Sequence, residues 1–176
     1  MPHSHDEDPA CDVAHGDALP EGARRTLVAV FASPVAGHLL RLGAELGFRP
    51  ILLEPDAGRR LDGLPMGSFP VVREAGDYLD GAADVVVTDH HREEIGPMLR
   101  DVLRSPARWI GIMGSPRHTG PHVRALAELG VPPEEIARVH RPIGLNIGSR
   151  TPAEIAVATL AGLIADRNGR PGGFAF

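Results

Sequence analysis

The sequence predicts a single α/β domain in which a mostly parallel sheet lies between two layers of helices. A strand, a helix and a second strand follow one another between residues 26 and 53, as in the βαβ unit, whose crossover makes the two strands parallel. Further apolar runs of strand length alternate with helical periodicity as far as residue 168. The chain has 176 residues, 43% of them apolar, which is enough for one domain with a sizeable core.

The first βαβ unit is the clearest. Residues 27–32 read L-V-A-V-F-A, a continuous apolar run typical of a strand that is covered on both faces. Residues 34–46 place apolar side chains at helical spacing, and Gly47 is a typical helix stop. Residues 51–53 form a second short apolar run, which ends at Glu54.

The remaining elements continue the alternation. The predicted strands are residues 69–72, 84–88 and 109–113, and the predicted helices are residues 93–103, 119–129 and 151–165. The last helix is the best marked, because Thr151 and Glu154 form a capping box with Pro152 at the first helical position. Residues 26–168 are therefore predicted to form the domain.

The two ends of the chain are predicted to lie outside this domain. Residues 1–25 are expected to form a disordered acidic tail, and residues 169–176 a flexible C terminus. The tail contains three histidines and the single cysteine of the chain, whose role the sequence leaves open: His3, His5, His15 and Cys11. One cysteine cannot form an internal disulfide or a four-thiolate metal cluster.

Charge and hydropathy exclude several classes of function. All 18 basic residues are arginines, so the chain has neither a Schiff-base lysine nor a Walker-A phosphate loop. Six of the 23 acidic residues precede Arg24, so the rest is nearly neutral and lacks the basic character that a nucleic-acid partner requires. The longest uncharged stretch, residues 26–40, is shorter than the roughly 20 residues of a membrane span, and no secretory signal is recognisable. We therefore expect a cytoplasmic protein with no membrane span.

The candidate site follows from a rule for open parallel sheets, in which ligands bind beyond the carboxyl ends of the strands. The turn after the first strand, residues 31–34, reads F-A-S-P and lacks every glycine of the dinucleotide fingerprint, which argues against NAD(P) binding. Glu54, at the end of the second strand, could hold a ribose hydroxyl. The missing glycines favour the other interpretation, a solvated acid at a strand end.

Two further strand ends carry polar groups. Residues 88–91 read T-D-H-H, so His90 and His91 could bind a metal or transfer protons; a polar loop with Asp89 capping the next helix is equally favoured. Residues 114–117 read G-S-P-R. A small hydroxyl residue and an arginine after a strand are typical of a phosphate cradle, and equally of a plain turn.

The most distinctive segment is residues 142–152, which read P-I-G-L-N-I-G-S-R-T-P. Two glycines alternate with apolar residues and lead into the N terminus of the last helix, an end that favours anions, with Arg150 beside it. From composition alone, the favoured interpretation is a tight buried connection whose glycines serve only the backbone geometry.

This segment and the strand before it resemble a known family. Residues 142–156, together with W-I-G-I-M-G-S at 109–115, are similar to the C-terminal Rossmann-like domain of the xanthine dehydrogenase accessory factors (XdhC/CoxI). The resemblance covers about residues 26–168 and implies a three-layer, Rossmann-like fold. Two elements depart from the family pattern: F-A-S-P at 31–34 stands where the family has G-A-G-H, and T-D-H-H at 88–91 where it has T-H-D-H.

The resemblance implies a chaperone-like accessory factor rather than an enzyme. Such proteins bind the molybdenum cofactor, as molybdopterin or its cytosine dinucleotide form, and assist its sulfuration and insertion into a molybdenum hydroxylase. The implied partner is the apo-hydroxylase, with a sulfurase and a second copy of the chain as further candidates. An NAD(P)-dependent oxidoreductase and a non-catalytic assembly protein remain the alternatives. No catalytic residue or metal ligand is assigned, and the expected cofactor-binding residues are His90, His91, Gly114, Ser115, Arg117, Gly144, Asn146, Gly148 and Arg150.

Overall fold

The computed structural model describes residues 25–61, 69–115, 117 and 119–173 of the chain. The predicted acidic tail, apart from Arg25, lies outside the described residues, together with its histidines and cysteine. The last three residues of the predicted flexible C terminus also lie outside them.

The described residues form six strands and five helices. The strands are β1 (Thr26–Val30), β2 (Arg49–Leu53), β3 (Val71–Val72), β4 (Asp84–Val87), β5 (Trp109–Ile112) and β6 (Val139–His140). The helices are α1 (Pro34–Glu45), α2 (Ile95–Leu103), α3 (Pro121–Glu128), α4 (Pro133–Ile136) and α5 (Pro152–Arg167).

All six strands belong to one parallel sheet. Their order is β3-β2-β1-β4-β5-β6, and every neighbouring pair is parallel. This is the strand order of the Rossmann fold, in which the direction of winding reverses between the first and fourth strands. The predicted fold class is confirmed, and the crevice at the reversal point lies between the carboxyl ends of β1 and β4.

Helices cover both faces of the sheet, as the three-layer prediction requires. Leu27 and Ala29 of β1 pack in a cluster with apolar residues of α1 and α5, whereas Val28 and Val30 pack in a second cluster with residues of α2 and α3. Successive side chains of a strand point to opposite faces, so a strand buried on both faces has the continuous apolar run seen in the sequence.

The structure differs from the prediction mainly after α3. Helix α4 and strand β6 were not expected, because each is too short to produce a recognisable period. Strand β6 extends the sheet beyond β5, so the loop from residue 141 to 151 begins at the edge of the sheet and runs back to α5. Three strands end one residue or more before the predicted ends, and α2 begins at Ile95 rather than at residue 93.

A close contact joins this loop to β5. The ring of Trp109 and the side chain of Ile143 both lie over Gly111, where a Cβ would be 2.7 Å from Ile143 Cγ2. Trp109 also stacks on His140, with ring centroids 5.2 Å apart and an angle of 6° between the planes. Gly111 therefore provides the space in which strand and loop meet.

Candidate functional site

A groove of about 780 Å³ lies at the carboxyl edge of the sheet, between the ends of β4 and β5 and the 141–151 loop. Its volume is within the roughly 300–1,000 Å³ of small-molecule sites. Six of the nine predicted residues line it: His90, Gly114, Gly144, Asn146, Gly148 and Arg150. Val35, Met113, Ile143, Leu145 and Ile147 give it a largely apolar wall.

The two glycines of the loop have different structural roles. Gly144 has φ +81°, and a Cβ there would lie 3.0 Å from the carbonyl carbon of Ala158, so this part of the loop sits directly on α5. The N–H of Leu145 donates to the Ala158 carbonyl at 3.0 Å and fixes that contact. Gly148 has φ +69°, but nothing lies within 4 Å of its Cβ position. Both glycines are exposed, so the expectation of a tight buried connection is wrong.

The N terminus of α5 carries the predicted capping box. The Thr151 hydroxyl accepts from the Glu154 N–H at 3.2 Å, and the Glu154 carboxylate accepts from the N–H groups of Arg150 and Thr151 at 2.6 and 3.1 Å. The sequence predicts that this helix end favours an anion. In the structure its two N–H groups donate to a carboxylate of the same helix. Arg150 lines the groove, and its guanidinium has no hydrogen-bond or ion-pair partner among the described residues.

Two hydroxyl groups close the crevice between β1 and β4. Ser33 Oγ caps α1 by accepting from the Ala36 N–H at 3.0 Å, and it donates to Thr88 Oγ1 at 2.9 Å. The Thr88 hydroxyl in turn donates to the Phe31 carbonyl at 2.8 Å. The turn that would carry a dinucleotide fingerprint is therefore tied to the end of β4.

Glu54 is buried, and the expectation of a solvated acid is wrong. Its side chain has no solvent exposure. Its carboxylate accepts from the N–H groups of Ala32 and Asp56 at 2.8 and 3.0 Å, and from both terminal nitrogens of Arg92 at 3.1 and 3.0 Å. The Ala32 N–H belongs to the turn whose counterpart in dinucleotide-binding proteins faces the pyrophosphate. In this protein an internal carboxylate takes that donor.

Arg92 completes the closure of this region. Its guanidinium also pairs with Glu94 at 2.8 Å and lies 4.8 Å from the centroid of the Phe31 ring. Hydrogen bonds to Glu94 and Glu54 raise the pKa of Arg92, so it remains charged. Phe31 is buried and has φ +71°, a left-handed conformation that glycine adopts more readily. That backbone geometry explains why β1 ends at Val30, before the end of the apolar run at residue 32.

The two histidines lie side by side in a turn. Their ring centroids are 4.1 Å apart, because residues 90–91 leave the extended conformation of β4. Burial lowers the pKa of His90, and the positive charges of His91 and Arg141 lower it further, while Asp89 acts in the opposite direction. Asp89 accepts from the His91 N–H at 3.0 Å, and α2 has no side-chain cap. Of the two equally favoured interpretations of residues 88–91, the one in which Asp89 caps the next helix is therefore wrong.

A second cavity, which we call the side cavity, adjoins the groove at His90. It has a volume of about 540 Å³. Its polar lining residues are His90, His91, Arg92, Glu93, Ser115, Thr119 and Arg141. Arg141 donates to the Ser115 carbonyl at 2.8 Å, and its guanidinium lies against Gly114, where a Cβ would be 2.6 Å from Arg141 Nε. Arg117 is exposed and lines neither cavity, although its N–H donates to Ser115 Oγ at 3.2 Å.

Comparison with known proteins identifies the family. The family model of the XdhC Rossmann domain matches residues 27–163, which includes the whole sheet except Thr26 at the start of β1. The chain belongs to the XdhC family. The resemblance drawn from the 142–156 motif is thereby confirmed, and the groove described above lies within the matched part of this XdhC domain.

Two relatives extend the comparison. The chain is 32% identical over 164 residues to the "uncharacterized protein YqeB" of Escherichia coli K12, covering 86% of this chain and 29% of the relative. A solved structure from Bacillus halodurans, described as a xanthine dehydrogenase, is 22% identical with a TM-score of 0.65. It covers 84% of this chain and 46% of that one, and it supports the fold alone. The XdhC domain thus spans less than half the length of either relative.

The sequence found most of the groove but missed the residues that organise it. Arg92 and Arg141 were not singled out, although Arg141 immediately precedes the 142–152 motif and could have been included. Within the described ranges, no three His, Cys, Asp or Glu side chains come together as a metal site. No helix among the same residues is long and apolar enough to cross a bilayer.

Proposed function

We propose that this XdhC domain binds the molybdenum cofactor in the groove and holds it for insertion into a molybdenum hydroxylase. The observation that carries the proposal is the pairing of an apolar wall with the uncompensated Arg150 guanidinium in one cavity. A planar heteroaromatic ring system with anionic substituents needs both features, because the ring requires apolar contact and the anion requires a positively charged donor. Family membership supports an accessory role in general.

The residues of the groove fit such a ligand. Its volume of about 780 Å³ accommodates a pterin with its substituents, and Thr88, His90 and Asn146 supply polar groups beside the apolar wall. The bound group would supply the redox chemistry to the enzyme that receives it. The residues of this chain would bind, orient and shield it, and none is assigned a catalytic role. The domain therefore acts as a chaperone.

The proposed partner is the apo-form of a molybdenum hydroxylase. A sulfurase that prepares the cofactor, and a second copy of this chain, are further proposed partners. Co-purification with each candidate, followed by mass determination of the complex, tests these partnerships separately. If the chain associates stably with a hydroxylase but captures no pterin, the alternative of a non-catalytic assembly protein is favoured.

The decisive experiment measures cofactor capture by Arg150→Ala. The protein is produced in cells that make the cofactor, and bound molybdenum and pterin are measured by metal analysis and fluorescence. A lost charge-assisted hydrogen bond corresponds to roughly a ten- to hundredfold loss of affinity, so capture and activation of the apo-hydroxylase should fall accordingly. The melting temperature should stay unchanged, because the Arg150 N–H keeps its bond to Glu154.

Arg124→Ala is the matched control. Arg124 lies on α3 and pairs with Glu128 at 2.7 Å, away from the groove. This variant should capture as much cofactor as the unchanged protein. Undiminished capture by Arg150→Ala, or an equal loss in both variants, would contradict the proposal.

Binding of NAD(P) is the second candidate function, and the closed first turn argues against it. The Ala32 N–H and the Glu54 carboxylate, the groups that would meet a pyrophosphate and a ribose, are bonded to each other at 2.8 Å. Titration calorimetry with NADH and NADPH tests this directly. A dissociation constant in the low micromolar range would revive the oxidoreductase hypothesis.

A further inference from the structure

The chain leaves α5 through residues 169–172, a segment that we call the strap. Gly169 has φ +62°, and its N–H donates to the Asp166 carbonyl at 3.1 Å. The Arg170 N–H donates to the Ala165 carbonyl at 2.8 Å. These two bonds form the Schellman arrangement, in which a glycine just beyond the last turn takes the left-handed conformation and the helix cannot continue. The strap is therefore fixed to the end of α5 by backbone hydrogen bonds.

The far end of the strap packs on a residue of the groove wall. A Cβ at Gly172 would lie 2.6 Å from Leu145 Cδ2, so the backbone of the strap lies against the end of that side chain. Leu145 lines the groove, and its N–H donates to the Ala158 carbonyl at 3.0 Å. Ala158 precedes the end of α5 by about two and a half turns, so the strap runs back along the helix. The Leu145 side chain thus contacts the strap as well as the groove.

Gly172 and the next residue, Gly173, have similar backbones and different surroundings. Their φ angles are +76° and +101°, both in the left-handed region that favours glycine. Nothing lies within 4 Å of a Cβ at Gly173, whereas a Cβ at Gly172 meets Leu145. Because a leucine side chain can change rotamer, a methyl group at residue 172 would displace the Leu145 side chain and alter the groove wall.

We infer that the strap is a positioning element of the groove, which holds the Leu145 side chain in the wall where the ring system of the ligand packs. The inference rests on the proposed function for the identity of the ligand. Leu145 is half-buried, whereas Ile147 of the same wall is 54% exposed. A side chain that is already ordered costs the ligand less entropy on binding. Gly172 therefore acts on the ligand through Leu145.

The test compares Gly172→Ala with Gly173→Ala in the full chain. The second variant is the matched control, because it places alanine in a left-handed conformation without the contact to Leu145. In methyl NMR spectra, Gly172→Ala should move the Leu145 methyl resonances and Gly173→Ala should leave them in place. With pterin-6-carboxylate as the probe, Gly172→Ala should weaken binding roughly three- to tenfold, and Gly173→Ala should stay within about twofold. Thermal melts should fall by a similar amount in both variants, since both carry the same kind of backbone strain.

Leu145→Ala tests whether the effect passes through this side chain. Its spectrum also assigns the Leu145 methyl resonances, because they are missing from it. In this background the methyl group added at residue 172 no longer meets the end of a leucine side chain. Gly172→Ala should then cause no further loss of affinity for the probe, as expected for two residues that act through one contact.

The outcomes separate this inference from the proposed function. Unmoved Leu145 methyl resonances in Gly172→Ala, an equal change in Gly173→Ala, or a further loss of affinity in the Leu145→Ala background overturns the inference. Moved resonances with unchanged affinity for the probe overturn it as well. Cofactor capture in those cases still supports the groove proposal. If the unchanged protein binds no pterin, the proposed function fails, and the methyl spectra decide whether the strap positions Leu145.

Discussion

The two halves of the carboxyl edge of the sheet differ in how their polar groups are used. At the ends of β1 and β2, the Glu54 carboxylate accepts from the Ala32 N–H and pairs with Arg92, and Phe31 is buried beside them. At the ends of β4 and β5, the groove and the side cavity are open, and Arg150 lines the groove. Both halves have arginines, but Arg92 in the first is paired with Glu54 and Glu94, whereas the Arg150 guanidinium in the second has no hydrogen-bond or ion-pair partner among the described residues.

The difference teaches which half of a Rossmann-like edge can bind a ligand. The first half normally receives the nucleotide, because the turn after β1 exposes N–H donors to the pyrophosphate. In this XdhC domain the buried Glu54 carboxylate, paired with Arg92, accepts from the N–H group of that turn. The ligand site that we propose therefore lies across the reversal point, beside β4, β5 and the 141–151 loop.

The variant Glu54→Gln tests most directly whether the half at β1 and β2 depends on its buried ion pair. The change removes the buried carboxylate charge and leaves Arg92 paired with the more exposed Glu94, so the free energy of unfolding should fall by roughly 2–3 kcal/mol. Chemical denaturation measures the loss. The exposed pair of Arg41 and Glu45 provides the control, because Arg41→Ala should change stability by no more than about 0.5 kcal/mol. A similar small effect of both changes would mean that the closed half does not depend on its ion pair.

A second pair of variants tests the open half. Gly144→Ala places a Cβ against the α5 backbone and forces alanine into a left-handed conformation, which together should cost roughly 2–4 kcal/mol. Gly148→Ala carries the conformational cost alone, about 1 kcal/mol, because its Cβ position is open. Thermal or chemical unfolding of the two variants gives the difference. Equal losses would show that the loop does not rest on α5.

The smallest expected effect is the pH dependence of the free energy of unfolding that His122 introduces. Burial and the charge of Arg141 lower the pKa of His122 below 6.5, and His122 is only 4% exposed. The folded state therefore favours the neutral ring, and this contribution to stability is lost as the pH falls below 6.5. The free energy of unfolding, measured between pH 7.5 and pH 5, checks this direction, and the expected decrease is no more than about 1 kcal/mol. His122→Phe should remove this part of the dependence, and an unchanged profile would contradict the assignment.

His90 gives a companion measurement by NMR titration. Because Asp89 raises its pKa and His91 lowers it, Asp89→Asn should shift the His90 titration to lower pH and His91→Ala to higher pH. Shifts in the same direction for both variants would be inconsistent with the geometry of the turn.

The fold was predictable because its signals are local. Four of the strands are continuous apolar runs, and the capping box at Thr151 is contained in four residues. Strand β6 was missed because two residues have no period. Much of the groove was predictable for the same reason, since the 142–152 motif is contiguous in the sequence.

The closed half could not be predicted, because it depends on a contact between distant residues. Glu54 and Arg92 are 38 positions apart, and nothing around either residue indicates the other. The missing glycines at residues 31–34 pointed to weak NAD(P) binding, which remains a prediction. They did not indicate that Glu54 would be buried.

Trp109, which stacks on His140, gives the domain an intrinsic fluorescent probe. Trp109 is the single tryptophan of the chain, and its ring contacts the same glycine as Ile143, which lines the groove. Because Trp109 and Ile143 contact the same glycine, the tryptophan emission depends on the position of the loop. Ligand entry that moves the loop can therefore be followed by tryptophan emission without any added dye.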